Sequence, residues 1–312
     1  MILSYIMKLT PALKDYIWGG DSLKEYYPTS LDRISEAWVL SCHKDGKSVV
    51  ANGELCGKTL DEAISSIGRE AALGPAGADF EFFPILIKLI DSAQNLSVQV
   101  HPDDDYARKA EGEYGKTEMW YILDAKKGAG IYYGFKKKTS REDFEAAIKN
   151  NTLTDLLRFV EVKPGECYFI PSGTIHAIGA GITIAEVQQN SNTTYRVYDF
   201  GRVGKDGKPR ELHIAKALDV TSTEPASGTA EVSSDNPAVL ARCRYFTAKR
   251  LILDGTERLE CNGSFLSVLI ANGEGKIGDE KFGRFDSFFI PADLGCAELS
   301  GKAEIIISSV EQ

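Results

Sequence analysis

The sequence predicts a mostly β protein with a few short helices, arranged as two domains. Residues 99–101 follow the alternating pattern of a strand, and residues 160–187 alternate between strand and turn patterns. Helical spacing of apolar residues is clearest over two stretches only, residues 59–73 and 139–159. From residue 238 onwards the chain again has the pattern of strands, and residues 283–292 repeat the pattern of residues 163–172. This repetition indicates that the second domain is a shorter copy of the first.

The two domains are expected at residues 1–220 and 238–312, with a linker over residues 221–237 that begins with small polar residues. A chain of 312 residues is long enough for both, and its hydrophobic fraction of 43% and charged fraction of 26% are ordinary for a soluble globular protein. The net charge of −9 argues against a nucleic-acid partner, which would require a basic face. A phosphorylated small molecule stays possible because it needs only a few local cations.

Features of the chain as a whole predict a cytoplasmic protein that binds no membrane. Residues 1–7 are apolar but lack a basic region and a cleavage site, so they predict a first strand and not a signal peptide. No apolar run approaches the roughly 18 residues that a membrane helix requires. The six cysteines include no CxxC pair and are expected to be reduced packing thiols.

The first half of the first domain combines strands with one helix. A strand is predicted over residues 34–51, and a helix with Thr59 as its N-cap is predicted over residues 59–73, before a loop at residues 74–77. Residues 82–90 predict a buried strand that one lysine, Lys88, interrupts. Because an unpaired buried ammonium is costly, this lysine either points outward or faces a polar cavity that holds a partner.

The second half of that domain starts with acidic residues 103–105, which suit a helix N-terminus and are expected to form a solvated cap. Strands follow over residues 119–133. In the helical stretch that comes next, Ser140 and Asp143 have the spacing of a capping box. A short helix over residues 211–219 ends the domain.

Four polar side chains are candidates for one divalent metal site: Gln99, His101, Glu118 and His176. Residues i and i+2 of a strand share a face, so Gln99 and His101 would point the same way. If Glu118 and His176 arrive from neighbouring strands, two imidazoles, a carboxylate and an amide oxygen converge on one point. Such a set suits a cation such as zinc and leaves room for a substrate. The other histidines, His43 and His213, lack this context and are assigned to surface or structure.

Several motifs carry a resemblance to known families. Gly165, Pro171, Gly173 and His176 fit the second cupin signature at every position. The segments Gln-Val-His-Pro, Lys-Thr-Glu-Met-Trp and Tyr-Arg-Val-Tyr-Asp, at residues 99–102, 116–120 and 195–199, resemble type I mannose-6-phosphate isomerases, above all their short bacterial form. The resemblance covers nearly the whole chain. It implies two cupin (jelly-roll) β-barrel domains, of which the second is metal-free because it offers Cys296 where the first has His176.

The resemblance also implies an activity. The chain would be a zinc-dependent aldose–ketose isomerase that interconverts mannose 6-phosphate and fructose 6-phosphate through a cis-enediol. One Zn²⁺ per chain would act as a Lewis acid on the substrate oxygens, and Gln99 would supply the amide oxygen that this family uses in place of a first histidine. A monomer or a weak homodimer is expected.

Catalytic roles follow for three side chains. Arg196 would provide fixed positive charge beside the enediolate, although a salt bridge to Asp199 is its alternative. Glu186 is the leading candidate for the base, with a zinc-bound water as its rival, because its apolar strand neighbours favour a raised pKa. Lys116, on the face of Glu118, would transfer a proton or stabilise charge. The resemblance places four further residues against the substrate: Trp18, Glu36, Lys88 and Ser97.

Two other functions fit the same candidate site. A cupin dioxygenase with iron is one, since two histidines and a carboxylate can support it, but such a pocket has no general need of the cations Lys88, Lys116 and Arg196. A non-catalytic cupin that binds a sugar phosphate is the other. It would bind mannose 6-phosphate without exchanging the C2 proton with solvent.

Overall fold

The computed structural model describes residues 3–204, 207–226, 228 and 231–311. These residues form four β-sheets and a few short helices, so the predicted mostly β fold is confirmed. All six cysteines are free thiols, as predicted. Within the described ranges, no helix combines the length and the apolar character needed to span a membrane.

Strands dominate both halves of the chain. Those before residue 200 are β1 Met7–Thr10, β2 Ala12–Lys14, β3 Glu36–Leu40, β4 Cys42–His43, β5 Gly46–Lys47, β6 Val49–Val50, β7 Ile85–Ser92, β8 Val98–Val100, β9 Glu118–Ala125, β10 Gly130–Phe135, β11 Leu157–Glu161, β12 Cys167–Ile170, β13 His176–Ile178, β14 Ile182–Gln189 and β15 Tyr195–Tyr198. Those after it are β16 Ala238–Arg242, β17 Thr247–Glu260, β18 Leu266–Ile277, β19 Glu280–Phe282, β20 Ser287–Ile290 and β21 Cys296–Ser309.

Helices are short and lie between the strands. The α-helices of the described residues are α1 Leu60–Ile67, α2 Arg69–Ala78, α3 Asp104–Ala110, α4 Arg141–Lys149, α5 Leu153–Leu156 and α6 Ile214–Val220. Three predicted N-caps are confirmed. Thr59 precedes α1, Ser140 Oγ accepts a hydrogen bond from the Asp143 N–H at 3.0 Å, and Asp103 accepts one from the Tyr106 N–H at 2.9 Å.

Two sheets of the N-terminal half share one core. Their strand orders are β11-β10-β13-β8-β15 and β12-β9-β14-β7-β3-β2. One apolar cluster takes Ile131 and Ile178 from the first sheet and Trp120 and Ile184 from the second. Because side chains alternate along a strand, polar residues two positions from these face the same interior. The two sheets therefore enclose the space in which the candidate site lies.

A third sheet, β16-β17-β21-β18-β20-β1-β6 with β19 beside β18, contains the C-terminal strands. Two of its members come from the start of the chain. Met7 of β1 lies opposite Phe289, and Leu9 lies opposite Val50 of β6. The first fifty residues thus contribute strands to the sheets of both halves.

Several predicted boundaries differ from the structure. The helix predicted over residues 59–73 is two helices, because Gly68 at a φ of 107° interrupts the helical path. The second helix runs through the predicted loop at residues 74–77, where Gly74 at a φ of 69° is the residue that departs from helical geometry.

Strand boundaries shift as well. The first strand begins at Met7 and not within residues 3–6, while residues 1–2 of that prediction lie outside the described chain. The strand predicted from residue 82 begins after Pro84, whose missing N–H cannot donate to a ladder. The strand predicted over residues 34–51 is divided into β3 to β6. The last part of the predicted helical stretch, from Leu157, is strand β11.

Candidate active site and metal centre

Three of the predicted metal ligands meet between the two sheets. His101, Glu118 and His176 are buried, and their ligand atoms lie within 4.8 Å of one another. The His176 Nε2 atom is 3.4 Å from Glu118 Oε1, and the His101 Nε2 atom is 3.6 Å from Glu118 Oε2. His176 begins β13 and His101 directly follows the adjacent strand β8 of the same sheet, but Glu118 begins β9 of the facing sheet. The expectation of a strand neighbouring that of Gln99 is therefore confirmed for His176, since β13 pairs with β8, and wrong for Glu118, because sequence pattern does not reveal sheet membership.

Gln99 completes the predicted set. Its Cα lies directly opposite His176 in the pairing of β8 with β13. Val98 and Val100 on either side pack into an apolar cluster on the outer face of the sheet, so alternation turns Gln99 inward. It lines the cavity beside the three buried residues.

Both imidazoles are oriented by main-chain carbonyls. His101 Nδ1 lies 2.9 Å from the Thr193 oxygen, and His176 Nδ1 lies 2.8 Å from the Thr174 oxygen. A carbonyl only accepts, so each Nδ1 carries the proton and each Nε2 presents a lone pair towards Glu118. Burial lowers the pKa of His101 far below its ordinary value and that of His176 to about 4. Both rings are therefore neutral at pH 7, the state in which imidazole binds a metal.

Two buried atoms in this group support a bound cation. Glu118 Oε1 and His176 Nε2 have no hydrogen-bond partner. Buried polar atoms without a partner are costly and rare in folded proteins, and one cation bonded to both would remove that cost. Two imidazole nitrogens, a carboxylate and an amide oxygen are ligands that zinc accepts. The residues present thus fit a divalent metal ion.

A cavity of about 260 Å³ opens beside these ligands. Every residue predicted for catalysis or substrate binding lines it: Trp18, Glu36, Lys88, Ser97, Lys116, Glu186 and Arg196. Sequence reasoning missed other lining residues: Tyr16, Asn192, Thr194 and Arg210. Tyr16 could have been found from the sequence, because it lies two residues before Trp18. Arg210 could not, because it lies in a charged connection without a periodic pattern.

Lys88 faces this cavity and is paired. Its Nζ atom lies 3.6 Å from Glu36 Oε2 and 3.5 Å from Glu186 Oε1. Burial alone would lower the pKa of Lys88, but the two carboxylates raise it above its ordinary value. The indole of Trp38 donates to Glu36 at 2.6 Å and that of Trp120 donates to Glu186 at 2.8 Å. These contacts leave the lysine charged and fix both carboxylates.

The raised pKa predicted for Glu186 is wrong. Burial acts to raise it, but the ammonium groups of Lys116 at 3.8 Å and Lys88 at 3.5 Å outweigh burial and lower the pKa. Glu118 shows the opposite outcome, since burial and the charge of Glu186 raise its pKa to about 7 in the metal-free chain. Apolar neighbours along a strand do not reveal two lysines contributed by other parts of the chain.

Lys116 lies between the candidate metal ligands and the rest of the cavity. Its Nζ atom is 2.6 Å from Glu118 Oε2 and 3.1 Å from His101 Nε2. The same ammonium lies within ion-pair distance of Glu186. The ammonium group of Lys116 thus contacts both the candidate metal ligands and the carboxylate of Glu186.

Arg196 lies at another part of the cavity wall. Its Nε donates to Ser97 Oγ at 3.2 Å, and its Nη1 donates to the Glu211 carbonyl oxygen at 3.0 Å. Asp199, the alternative partner from sequence, is instead held by Arg210, whose Nε donates to it at 2.8 Å. Two guanidinium groups therefore border the cavity, one of them oriented by a carboxylate.

Comparison with known proteins adds independent findings. Residues 6–130 match the family described as phosphomannose isomerase type I, catalytic domain, and residues 229–310 match the mannose-6-phosphate isomerase cupin domain. The chain is 39% identical to mannose-6-phosphate isomerase ManA of Bacillus subtilis over 309 residues, 96% of each protein. It is also 39% identical to mannose-6-phosphate isomerase of Streptococcus mutans over 302 residues, 94% of each. A crystal structure of mannose 6-phosphate isomerase from Bacillus subtilis superposes with a TM-score of 0.89 at 36% identity, covering 98% of this chain and 99% of that one.

Proposed function

The chain belongs to the type I mannose-6-phosphate isomerase family, and we propose that it interconverts mannose 6-phosphate and fructose 6-phosphate with one zinc ion per chain. The observation that carries this proposal is the buried group of His101, Glu118 and His176 beside a cavity lined by cations. The similar isomerases support the reaction, and the atoms without partners support the metal.

We propose cupin barrels for both halves of the chain. The match of residues 229–310 to a cupin domain supports the second, and the signature glycines support the first. Gly165 and Gly173 have φ values of 88° and 82°, which a residue with a side chain rarely adopts. The backbone conformation therefore explains why the signature has glycine at these two positions.

In the proposed site, zinc held by Gln99, His101, Glu118 and His176 would supply Lewis acidity to the hydroxyl and carbonyl oxygens of the sugar. The protein's part is to keep the four ligands dry and correctly oriented. The carbonyl oxygens of Thr193 and Thr174 do this for the two imidazoles.

We assign to Glu186 the role of the base that carries the proton between C1 and C2. This carboxylate is ionised, and its Oε1 atom has no hydrogen-bond partner, while Trp120 holds the other oxygen. Its lowered pKa makes it a weak base, so the C–H group has to be acidified by positive charge around the substrate oxygens. Lys116 and Arg196 supply that charge and would stabilise a cis-enediolate.

The phosphate is assigned to the part of the cavity that holds Ser97 and Arg210. Guanidinium groups match phosphate oxygens, and Arg210 is pre-oriented by Asp199. Lys88, which the resemblance places against the substrate, is not assigned to the phosphate, because Glu36 and Glu186 already neutralise its charge. Trp18, with the Tyr16 ring centroid 5.7 Å away, would form the wall against the sugar.

A coupled assay from mannose 6-phosphate to fructose 6-phosphate, with and without a chelator, tests the proposal. Activity should vanish with the chelator and return with zinc, and His176→Ala should lose both bound metal and activity. His213→Ala is the matched control for the metal, because that histidine lies outside the ligand group and contacts the main chain of Arg196, so the bound zinc should be unchanged.

Other outcomes would contradict the proposal in distinct ways. Iron content with oxygen uptake that depends on substrate would indicate the dioxygenase. Binding of mannose 6-phosphate without deuterium exchange at C2 would indicate a non-catalytic protein. Isomerisation that resists the chelator would support the isomerase activity but contradict its dependence on a metal.

A further inference from the structure

Lys116 reaches the cavity from a segment, residues 111–117, that belongs to neither helix nor strand. Such a segment has no ladder to fix it, yet three of its consecutive main-chain N–H groups have defined acceptors. They donate as follows: Gly115 to Asp104 Oδ1 at 2.8 Å, Lys116 to the Pro102 oxygen at 3.0 Å, and Thr117 to Gln189 Oε1 at 2.7 Å. The backbone of Lys116 is therefore held on both sides.

Asp104 is the side chain on which these contacts depend. Besides the Gly115 N–H, its Oδ1 accepts from Gln189 Nε2 at 2.9 Å, and its Oδ2 accepts from the Tyr245 hydroxyl. Asp104 thus acts on one neighbour of Lys116 directly and on the other through Gln189. The predicted role of residues 103–105 as a solvated cap is wrong for Asp104, since these partners come from distant parts of the chain.

The packing around this segment is tight. A Cβ atom on Gly115 would lie 2.5 Å from the Asp103 carbonyl carbon and 2.6 Å from the Asp104 nitrogen, so the main chains are in direct contact. On the other side, the ring of Tyr245 meets that of Tyr114 edge-on at 5.1 Å, and Tyr245 is 5% exposed. Tyr245 lies between β16 and β17, so the C-terminal half provides this contact.

We propose that Asp104 and Tyr245 are positioning residues for Lys116. With Gln189 they form a bracket that fixes the lysine backbone and so places its ammonium 2.6 Å from Glu118 Oε2. This inference rests on the proposed function, because it gives Lys116 a part in turnover. The C-terminal half then contributes to the reaction through one hydroxyl, without touching substrate or metal.

Tyr245→Phe is the primary test, since it keeps the ring packing and removes the hydroxyl. We expect kcat to fall roughly tenfold, because small misplacements of a catalytic group are costly. KM and the zinc affinity from chelator competition should stay unchanged, because Glu118 and the cavity walls are held by strand pairing. Asp104→Asn should act in the same direction.

The matched control is Tyr27→Phe. The Tyr27 hydroxyl donates to the Phe285 oxygen at 2.7 Å, so it also joins the N-terminal segment to the C-terminal sheet, but it does not line the cavity. Its loss should lower the melting temperature and leave kcat unchanged. Equal losses of kcat in both variants would show that the bracket is only structural.

A double-mutant cycle with Lys116→Ala identifies the route of the effect. If the bracket acts through Lys116, Tyr245→Phe should slow the parent but not further slow the Lys116→Ala enzyme, measured at high enzyme concentration. Multiplying effects, or a Tyr245→Phe enzyme with parental kcat, would overturn the inference. A parent that does not isomerise mannose 6-phosphate would instead overturn the proposed function, which is a different result.

Discussion

Individual charges in the site are balanced almost completely by one another. The carboxylates of Glu36, Glu118 and Glu186 face the ammonium groups of Lys88 and Lys116, and all five side chains are at least nine-tenths buried. Buried ions are tolerated only when they are paired, and with all three carboxylates ionised one negative charge exceeds the positive ones. A divalent cation would reverse that excess, which suits an anionic sugar phosphate. The proposed metal thus completes the charge balance as well as the ligand set.

Arg196→Ala should separate charge stabilisation from metal binding. The guanidinium contacts Ser97 and the Glu211 main chain and no metal ligand, so the zinc content should be unchanged. Loss of a fixed charge beside the developing enediolate should reduce kcat about 100-fold or more. Elemental analysis and the coupled assay measure the two quantities. Arg202→Ala, which removes a nearby arginine that does not line the cavity, is the control, and a near-normal rate for Arg196→Ala would refute its proposed role.

For individual residues, the sequence predicted which side chains lie in the site better than it predicted their protonation states. Gln99 and His101 are two residues apart, and the signature around His176 is local, so these candidates could be found by spacing. The pKa of Glu186 could not, because the two lysines that lower it are separated from it by about seventy residues or more. Protonation depends on contacts between distant residues, which a local pattern does not contain.

Among the elements, the loop after β14 supports one of the proposed metal ligands. Its residue Thr193 provides the carbonyl oxygen that orients His101. Glu113 holds the loop by accepting hydrogen bonds from Thr193 Oγ1 and the Asn192 N–H, both at 3.4 Å. His43 Nε2 lies 3.5 Å from the same carboxylate. His43, which the sequence assigned to surface or structure, is thus linked to His101 through Glu113 and Thr193.

Glu113→Gln should give a loss of stability that depends on pH. The hydrogen bond from His43, with that from Lys44, lowers the pKa of Glu113 to about 2. Because the folded-state value is below the unfolded one, the stabilisation is present above the ordinary pKa of glutamate and disappears as the pH falls towards 2. Melting temperatures of the metal-free parent and variant should therefore differ at pH 7 and converge as the pH falls from about 4 towards 2. Glu81→Gln, which removes an exposed ion pair with Arg108, is the control, and a difference independent of pH would contradict this origin.

Elements with local signals were predictable, and their neighbours in space were not. Ser140 starts a helix by a contact three residues away, so its capping could be read from spacing. The pairing of β9 with β12 and β14 depends on segments more than forty residues distant, and this pairing decides that Glu118 faces His176 from the opposite sheet. Position in sequence therefore predicted the strand but not its sheet.

In the molecule as a whole, the two halves are joined by one continuous apolar interface. The largest cluster takes Leu89 and Val187 from the outer face of the β7–β14 sheet and Leu269 and Ile306 from the C-terminal sheet. The repeat of residues 283–292 predicted strand β20 at the right place. The pairing of β1 with it could not be predicted, because Met7 and Phe289 are at opposite ends of the chain. The pairing of the first strand with β20 is a contact between distant residues, which no local sequence pattern indicates.

Three serine hydroxyls weaken this interface and lead to a prediction about stability. Ser308 lies opposite Ser267 in the register of β18 and β21, both are fully buried, and neither hydroxyl has a hydrogen-bond partner. Ser287 on the neighbouring strand β20 is also buried without a partner. Burial of an unpaired hydroxyl costs free energy, so Ser308→Ala should raise the free energy of unfolding of the metal-free chain by about 1 kcal/mol in urea titrations.

The matched control for Ser308→Ala is Ser48→Ala. Ser48 is equally buried, but its hydroxyl donates to the Trp38 carbonyl oxygen at 3.0 Å. The same substitution should there lower the free energy of unfolding by about 1 kcal/mol, because it removes a formed hydrogen bond. Opposite signs for one chemical change at two buried sites would assign the effect to the partner and not to the lost volume. Equal losses at both sites would mean that the Ser308 hydroxyl is satisfied in solution, and the interface between the halves would then contain bound water.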